Sequence, residues 1–296
     1  MDIEINSNQN DIIKEGSLLS IYIEEGNFIL IIPKIGESFD CKKGKFMHEE
    51  FIGKKYGTKI YNIHQTNYVY GIKPNNITYL DSLAHRTQII YQQDIAVILE
   101  YLNIKSGDII IESGTGSGAL STCFAKLLSE KGHLFTFEIN EQRASKAMVE
   151  FDRLGVKTKV DVINRDVIDK GFKTDKLNGK ADVVFLDLPE PWKVMDHVKD
   201  ILKSGGRFSS FSPCIEQIQK TIDLMNQHQY GEIRMFECLE RNFNNIKVNI
   251  KSIEQEFEQI NAEDKNPKPK CPISYSLLPT KNFHSHTGYL LFGIKL

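Results

Sequence analysis

The stretch Glu112-Ser113-Gly114-Thr115-Gly116-Ser117-Gly118 carries the clearest chemical signal in the chain. It ends the apolar run DIIIES, and a helical pattern opens at Ala119. Glycines at such a junction let the backbone turn sharply and approach a ligand with no Cβ in the way. The N–H groups at the helix start suit polar ligand groups. Dinucleotide enzymes use a related loop, but their GxGxxG spacing would need a glycine at Ala119. The spacing here is GxGxG. Glu112, just ahead of the glycines, suits a ligand with an ammonium group. These features point to S-adenosylmethionine, whose amino-acid end carries one.

Three acidic positions follow in step. Glu138 closes the run HLFTFE, 24 residues after Gly114. A carboxylate there can accept both ribose hydroxyls of a nucleoside, as it does in NAD enzymes; the alternative is a solvated strand end. Arg143, one helical turn on, is either a surface charge or a wall over the cofactor. Asp166-Val167 follows the third strand, where an acid can cap an adenine amino group and the apolar neighbour can pack on the ring. A helix N-cap is the alternative for Asp166. Asp187-Leu188-Pro189-Glu190-Pro191-Trp192 follows the fourth strand. Its prolines fix φ and stiffen the loop, which would hold Asp187 near the methyl group. Trp192, the only tryptophan, reads as core more readily than as a base-stacking platform.

These residues need a scaffold that brings strand ends together. Short apolar strands at 108–113, 133–138, 159–163, 182–187 and 206–211 alternate with helical patterns such as Ala144, Ala147, Met148, Phe151 and Leu154. Such alternation implies an open parallel sheet covered on both faces, with ligands at the carboxyl ends of the strands. Residues 192–203 and the series Ile215, Ile218, Ile222 and Met225 read as helical, and 286–296 as a last strand. Ahead of this, LLSIYI, NFILIIP, KIYNI and NYVYGI are β-like segments within 17–72, separated by turn-like EEGN, KKGK and KKYGT. Residues 73–92 read as a connection. The stretch 261–272, NAEDKNPKPKCP, reads as an exposed loop. The expectation is an α/β chain with a small N-terminal β domain at 1–72 and a catalytic domain at 73–296.

A length of 296 residues suits one large and one small domain, and 41% apolar residues can fill their cores. The net charge of −2 gives no case for nucleic-acid binding, so an RNA substrate would need local basic patches or a basic partner. Lys42, Lys43, Lys45, Lys54 and Lys55, and later Lys265, Lys268 and Lys270, are candidates, although lysine clusters are usually solvated faces. Cysteines at 41, 123, 214, 238 and 271 are odd in number and form no CxxC, so free thiols in a reducing compartment and no metal site are expected. The polar N-terminus does not read as a signal peptide, and no apolar run nears the ~20 residues of a membrane span. A soluble, intracellular protein is expected.

HRTQIIY (85–91), the glycine loop, FLDLPEPW (185–192), FSPCIEQIQ (211–219) and HTGY (286–289) occur in this order. Over residues 73–295 the chain resembles the catalytic subunits of eukaryotic tRNA adenine-58 N1-methyltransferases. The resemblance implies a Rossmann-like class I methyltransferase sheet. It implies S-adenosylmethionine contacts at Ile90, at Ser117, Gly118 and Ala119, at Glu138 and Arg143, and at Asp166, Val167 and Asp187, which join the loop glycines Gly114 and Gly116 as cofactor-binding candidates. It also implies Asp187 as the catalytic residue, tRNA as substrate, nuclear location, and assembly with a related non-catalytic subunit as two heterodimers. Glu190 stands where a small polar residue is common, and 240–285 matches poorly. The alternatives are the non-catalytic RNA-binding partner itself, a methyltransferase of the same fold with another substrate, or a NAD-dependent oxidoreductase. A degenerate partner would be expected to have lost the glycines or Asp187, and both are present. The loop spacing and DLPEPW disfavour the oxidoreductase.

Overall fold

The computed structural model describes residues 11–24, 26–82, 90–177, 180–249, 273–279 and 286–296. Period-two burial organises the N-terminal region. β1 (Leu19–Glu24) and β2 (Asn27–Ile31) form one hairpin, β3 (Ser38–Cys41) and β4 (Gly44–Met47) a second, and β5 (Lys59–Tyr61) pairs antiparallel with β6 (Tyr68–Ile72). A four-stranded sheet runs β2-β1-β6-β5. Leu19, Ile21 and Ile23 of β1, with Ile60 and Val69, face a core that Phe46 and Phe51 close. The β3–β4 hairpin was not expected. Its strands are four residues each and carry Asp40 and Lys45, too short and polar to show a period, although KKGK does mark the turn.

The connection at 73–92 contains a helix, α1 (Asn76–Ser82), that lies against β1 and β2. After it come α2 (Gln92–Leu102), β7 (Ile109–Ser113), α3 (Ala119–Leu127), β8 (His133–Glu138), α4 (Glu141–Arg153) and β9 (Val160–Asn164). Then follow α5 (Val167–Lys170), β10 (Ala181–Leu186), α6 (Met195–Ile201), β11 (Leu202–Ser212), α7 (Ile215–Gln227) and β12 (Tyr230–Glu237). Ser20 Oγ donates to Thr78 Oγ1 of α1 at 3.1 Å, and the Tyr79 hydroxyl bonds Thr122 Oγ1 of α3 at 3.3 Å. Helix α1 thereby ties the small sheet to the helix that follows the glycine loop. Residues 237–288 form a second compact unit, in which β13 (Phe243–Asn249) pairs antiparallel with β14 (Ile273–Pro279). The chain ends with β15 (Tyr289–Lys295). The 261–272 loop, with its lysines, and residues 85–89 of HRTQIIY lie outside the described residues.

The large sheet has the order β12-β15-β11-β10-β7-β8-β9. Strands β9, β8, β7, β10 and β11 are parallel. Burial on both faces explains their near-continuous apolar sequences. Val184 and Leu186 of β10 join one core with Val194, Met195, Val198 and Ile218. Phe185, one residue along and so on the other face, meets Phe124 of α3 edge-on at 6.2 Å. The sheet is mixed rather than wholly parallel. The chain re-enters it beside the carboxyl end of β11, with Tyr289 opposite Ser212, and must run back antiparallel to Ile294 opposite Arg207. The helix expected over 192–203 is shorter. Pro191–Val194 form a 3-10 turn, α6 spans seven residues, and Leu202 already starts β11. β12 was not foreseen, because its outer residues are polar and half-exposed. Among the described residues no helix is long and apolar enough to cross a membrane, and no group of three metal-ligating side chains occurs.

Candidate active site

The strand order reverses between β7 and β10, the point where open α/β sheets bind ligands. The Asp187 N–H donates to the Ser113 carbonyl at 2.8 Å and ties the two strand ends together. Gly114 follows with φ of 97°, a left-handed value that side chains rarely adopt, and a Cβ there would collide with the Asp187 carbonyl oxygen. Gly118, with φ of 79°, opens α3, and a Cβ on it would meet Phe151 Cε1 at 2.9 Å. The loop is glycine-rich because it passes beneath the reaction edge and over α4 with no spare volume.

Glu138 holds the loop from the other side. Its Oε2 accepts from the Gly116 N–H at 3.1 Å, and its Oε1 accepts from the Asn140 N–H at 3.0 Å and from Arg143 Nη2 at 2.7 Å. Arg143 is thus an ion-pair partner of the strand-end acid and a wall of the site, while its buried Nε has no hydrogen-bond partner. For Asp166 the helix N-cap, the alternative reading, is what the structure shows. It caps α5 by accepting from the Ile168 N–H at 2.9 Å, and it lines the cavity.

The Asp187 loop is held by α7. Gln217 Nε2 donates to the Pro189 carbonyl at 2.8 Å, while Gln217 Oε1 accepts from the Cys214 N–H at 3.1 Å. FLDLPEPW and SPCIEQ, remote in sequence, are therefore one structure. Trp192 is half-buried with Lys220 Nζ 4.5 Å from its ring centre. Burial pushes the Asp187 carboxyl up to about 7, and the charge of Glu138 adds to the rise. Glu112 is buried under the loop, accepts from Ser121 Oγ at 2.5 Å, and is not on the cavity wall. Burial drives it, too, up to about 7.

A cavity of about 330 Å³ joins these groups, a size suited to a nucleoside-sized ligand. Of the residues singled out from sequence, Gly114, Gly116, Glu138 and Arg143 line it, as do Asp166, Val167 and Asp187. Ser117, Gly118 and Ala119 are buried at the start of α3 behind the loop, and Ile90 is buried just ahead of α2; none of these four is on the wall. Phe137, Ile139, Ile168 and Arg165 are on the wall and were missed. Ile139 offered one signal, an apolar residue directly after a strand-end acid, and it is 64% exposed. Arg165 donates to the carbonyls of Gly171 and Lys173 and stands over the Phe137 ring at 5.7 Å. The walls fit S-adenosylmethionine: a carboxylate for a diol, apolar side chains for a purine, and a loop with no room for Cβ atoms.

The family model for the tRNA methyltransferase complex GCD14 subunit matches residues 67–295. The chain belongs to this family. Among its curated relatives, the tRNA (adenine(58)-N(1))-methyltransferase catalytic subunit of Dictyostelium discoideum is 36% identical over 86% of this chain and 80% of its own length. That of Candida albicans is 33% identical over 84% and 74%. The GCD14-family fold is shared by a solved S-adenosylmethionine-dependent O-methyltransferase of Thermotoga maritima, with a TM-score of 0.79 and 26% identity over 98% of this chain and 97% of that one. A tRNA (m1A58) methyltransferase from Aquifex aeolicus, at 24% identity, has the same fold with a TM-score of 0.70 over 96% and 99%.

Proposed function

We propose that this chain transfers a methyl group from S-adenosylmethionine to N1 of adenine 58 in the T-loop of tRNA. One observation carries the reading within the family: Asp187 is anchored to Ser113 at the reversal point of the sheet and opens on the cavity. When bound, S-adenosylmethionine supplies an electrophilic methyl group on a sulfonium.

The residues that would hold the cofactor are those on the wall. Glu138 can take the ribose hydroxyls. Val167, Ile168 and Ile139 can enclose the purine, and the acid of Asp166 can accept from its amino group. Adenine N1 carries no proton, so no base is needed to unmask it. Catalysis then rests on alignment and on stabilising charge. The Asp187 carboxylate can accept a hydrogen bond from the target base's N6 amino group, hold N1 on the line of attack, and offset the positive charge that the ring acquires. The fixed loop around it, stiffened by Pro189 and Pro191 and held by Gln217, keeps that carboxylate in place.

The finer proposals come from the family likeness. We place the chain in a heterotetramer with a related non-catalytic subunit, in the nucleus. The near-neutral charge supports a partner, because RNA binding draws on electropositive surface that this chain lacks as a whole. The test is to incubate the chain with S-adenosylmethionine and unmodified tRNA, with and without the presumed partner, and to analyse nucleosides by mass spectrometry. N1-methyladenosine only with the partner supports both the reaction and the assembly. N1-methyladenosine without it removes the need for a partner. No methylated nucleoside despite cofactor binding removes the substrate.

A further inference from the structure

The face of the N-terminal sheet turned away from its core carries an unbroken row of rings. Tyr22 pairs with Phe28 across β1–β2 and with Tyr70 across β1–β6, and Tyr70 pairs with Lys59 on β5. Two residues along, Tyr68 stands opposite Tyr61. Ring centres are 5.4 Å apart for Tyr22–Phe28, 6.2 Å for Tyr22–Tyr70, 5.5 Å for Tyr70–Tyr68 and 5.9 Å for Tyr68–Tyr61. The row thus crosses all four strands. At its β5 end Lys59 Nζ lies 4.4 Å from the Tyr68 ring centre. Lys54 and Lys59 then line a polar cleft of about 270 Å³ with Tyr61, Gln65 and one acid, Glu50.

The core does not need these rings, since Leu19, Ile21, Ile23, Ile60 and Val69 fill the opposite face. Helix α1 packs against β2 and β1 and bonds Ser20 on this face. Tyr61 is 50% exposed, and Tyr22, Phe28, Tyr68 and Tyr70 are half-buried. Cross-strand contacts stabilise neighbouring rings in pairs, and the row ends at an exposed Tyr61 with its other four rings partly exposed. An exposed ring with partly exposed neighbours and ammonium groups beside it matches the chemistry of an unpaired nucleic-acid strand. Every base has a flat face to stack, and phosphates seek cations.

We propose that the Tyr61 end of this face binds unpaired RNA nucleotides, with a base against Tyr61 and the edge of its neighbour Tyr68 and phosphates at Lys54 and Lys59. The proposal rests on the tRNA methyltransferase reading only for the source of the strand. An enzyme that reaches a base held inside the tRNA elbow frees loop nucleotides that need a place to go.

The test uses the full chain and a short fluorescein-labelled oligoadenylate, followed by anisotropy. The Tyr61→Ala/Tyr68→Ala double variant is expected to bind about tenfold or more weakly, and Tyr61→Phe/Tyr68→Phe, which keeps the rings, to bind like the parent. Lys59→Gln is expected to flatten the salt dependence of binding. An alanine variant that binds as tightly as the parent overturns the proposal. So does displacement of the probe by duplex RNA as readily as by single strands. Methyl transfer to tRNA is scored separately: if the parent methylates none but binds the probe through these rings, the substrate reading falls and the surface stands.

Discussion

Gln217 Nε2 donates to the Pro189 carbonyl at 2.8 Å, two residues beyond Asp187, and so fixes from α7 the loop that leaves β10. Gln217 itself is not on the cavity wall, and the bond holds the Pro189 stretch of that wall from behind. Gln217→Ala is therefore expected to lower kcat about fivefold, the weight of one ordinary hydrogen bond, with the Kd for S-adenosylmethionine unchanged by calorimetry. A variant with full kcat would show that the prolines alone hold the loop.

Asp187→Ala is expected to keep the fold and lose on the order of 10²–10³ in turnover, as when one stabilising group is taken from a developing charge. The ionised carboxylate is the form that accepts from the base. With its pKa pushed up to about 7, kcat/KM should climb as pH rises through 7. The limb should be absent in Asp187→Asn. A profile flat from pH 6 to pH 8 in the parent would remove Asp187 from the rate.

The same shift has a cost in stability. An acid whose folded pKa stands above its unfolded value binds its proton more tightly when folded. Folding then loses stability as pH rises from about 4 to about 7. Asp187→Asn is expected to match the parent's Tm below pH 4 and to exceed it by a few degrees at pH 8, in differential scanning calorimetry without ligand. An equal Tm at both pH values would contradict the buried charge.

Gly114→Ala combines an unfavourable φ with a collision against the Asp187 carbonyl. Its expected cost is about 2 kcal/mol or more in denaturant unfolding, with loss of cofactor binding as the loop moves. Gly205→Ala, where φ is also positive but no atom lies within 4 Å, separates the backbone cost from the collision.

Glu138→Gln keeps the shape of the side chain and removes the charge that pairs with Arg143 at 2.7 Å. The expected result is a roughly 10- to 100-fold weaker Kd for S-adenosylmethionine, the weight of a charge-assisted hydrogen bond, with the tRNA KM little changed. An unaltered Kd would assign Glu138 to bracing the loop alone.

Much of the site could be read from order along the chain because its acids end apolar runs. HLFTFE and DVVFLD announce buried strands, and the residue that breaks each run must lie at the sheet's carboxyl edge. Gln217 could not be read that way. Its role depends on where α7 lies against the β10 loop, a contact between segments 28 residues apart. The burial of Glu112 could not be read from its place at a strand end, because it follows from packing against Ser121. The reversed β15 was hidden for a similar reason, since an apolar run has no direction. NYVYGI and LLSIYI were legible as strands, but which of their residues face outward follows from β1 pairing with β6.

Three donors of the chain itself, the Gly116 and Asn140 N–H groups and Arg143 Nη2, brace Glu138 and the cofactor loop without calling on a ligand. Entry exchanges partners around a fixed carboxylate and orders little new chain, so most of the entropic toll of binding has been met in folding. Association should then be one bimolecular event. In stopped flow, the observed rate would rise linearly with S-adenosylmethionine concentration and show no plateau, because no slow rearrangement of the loop stands between encounter and capture.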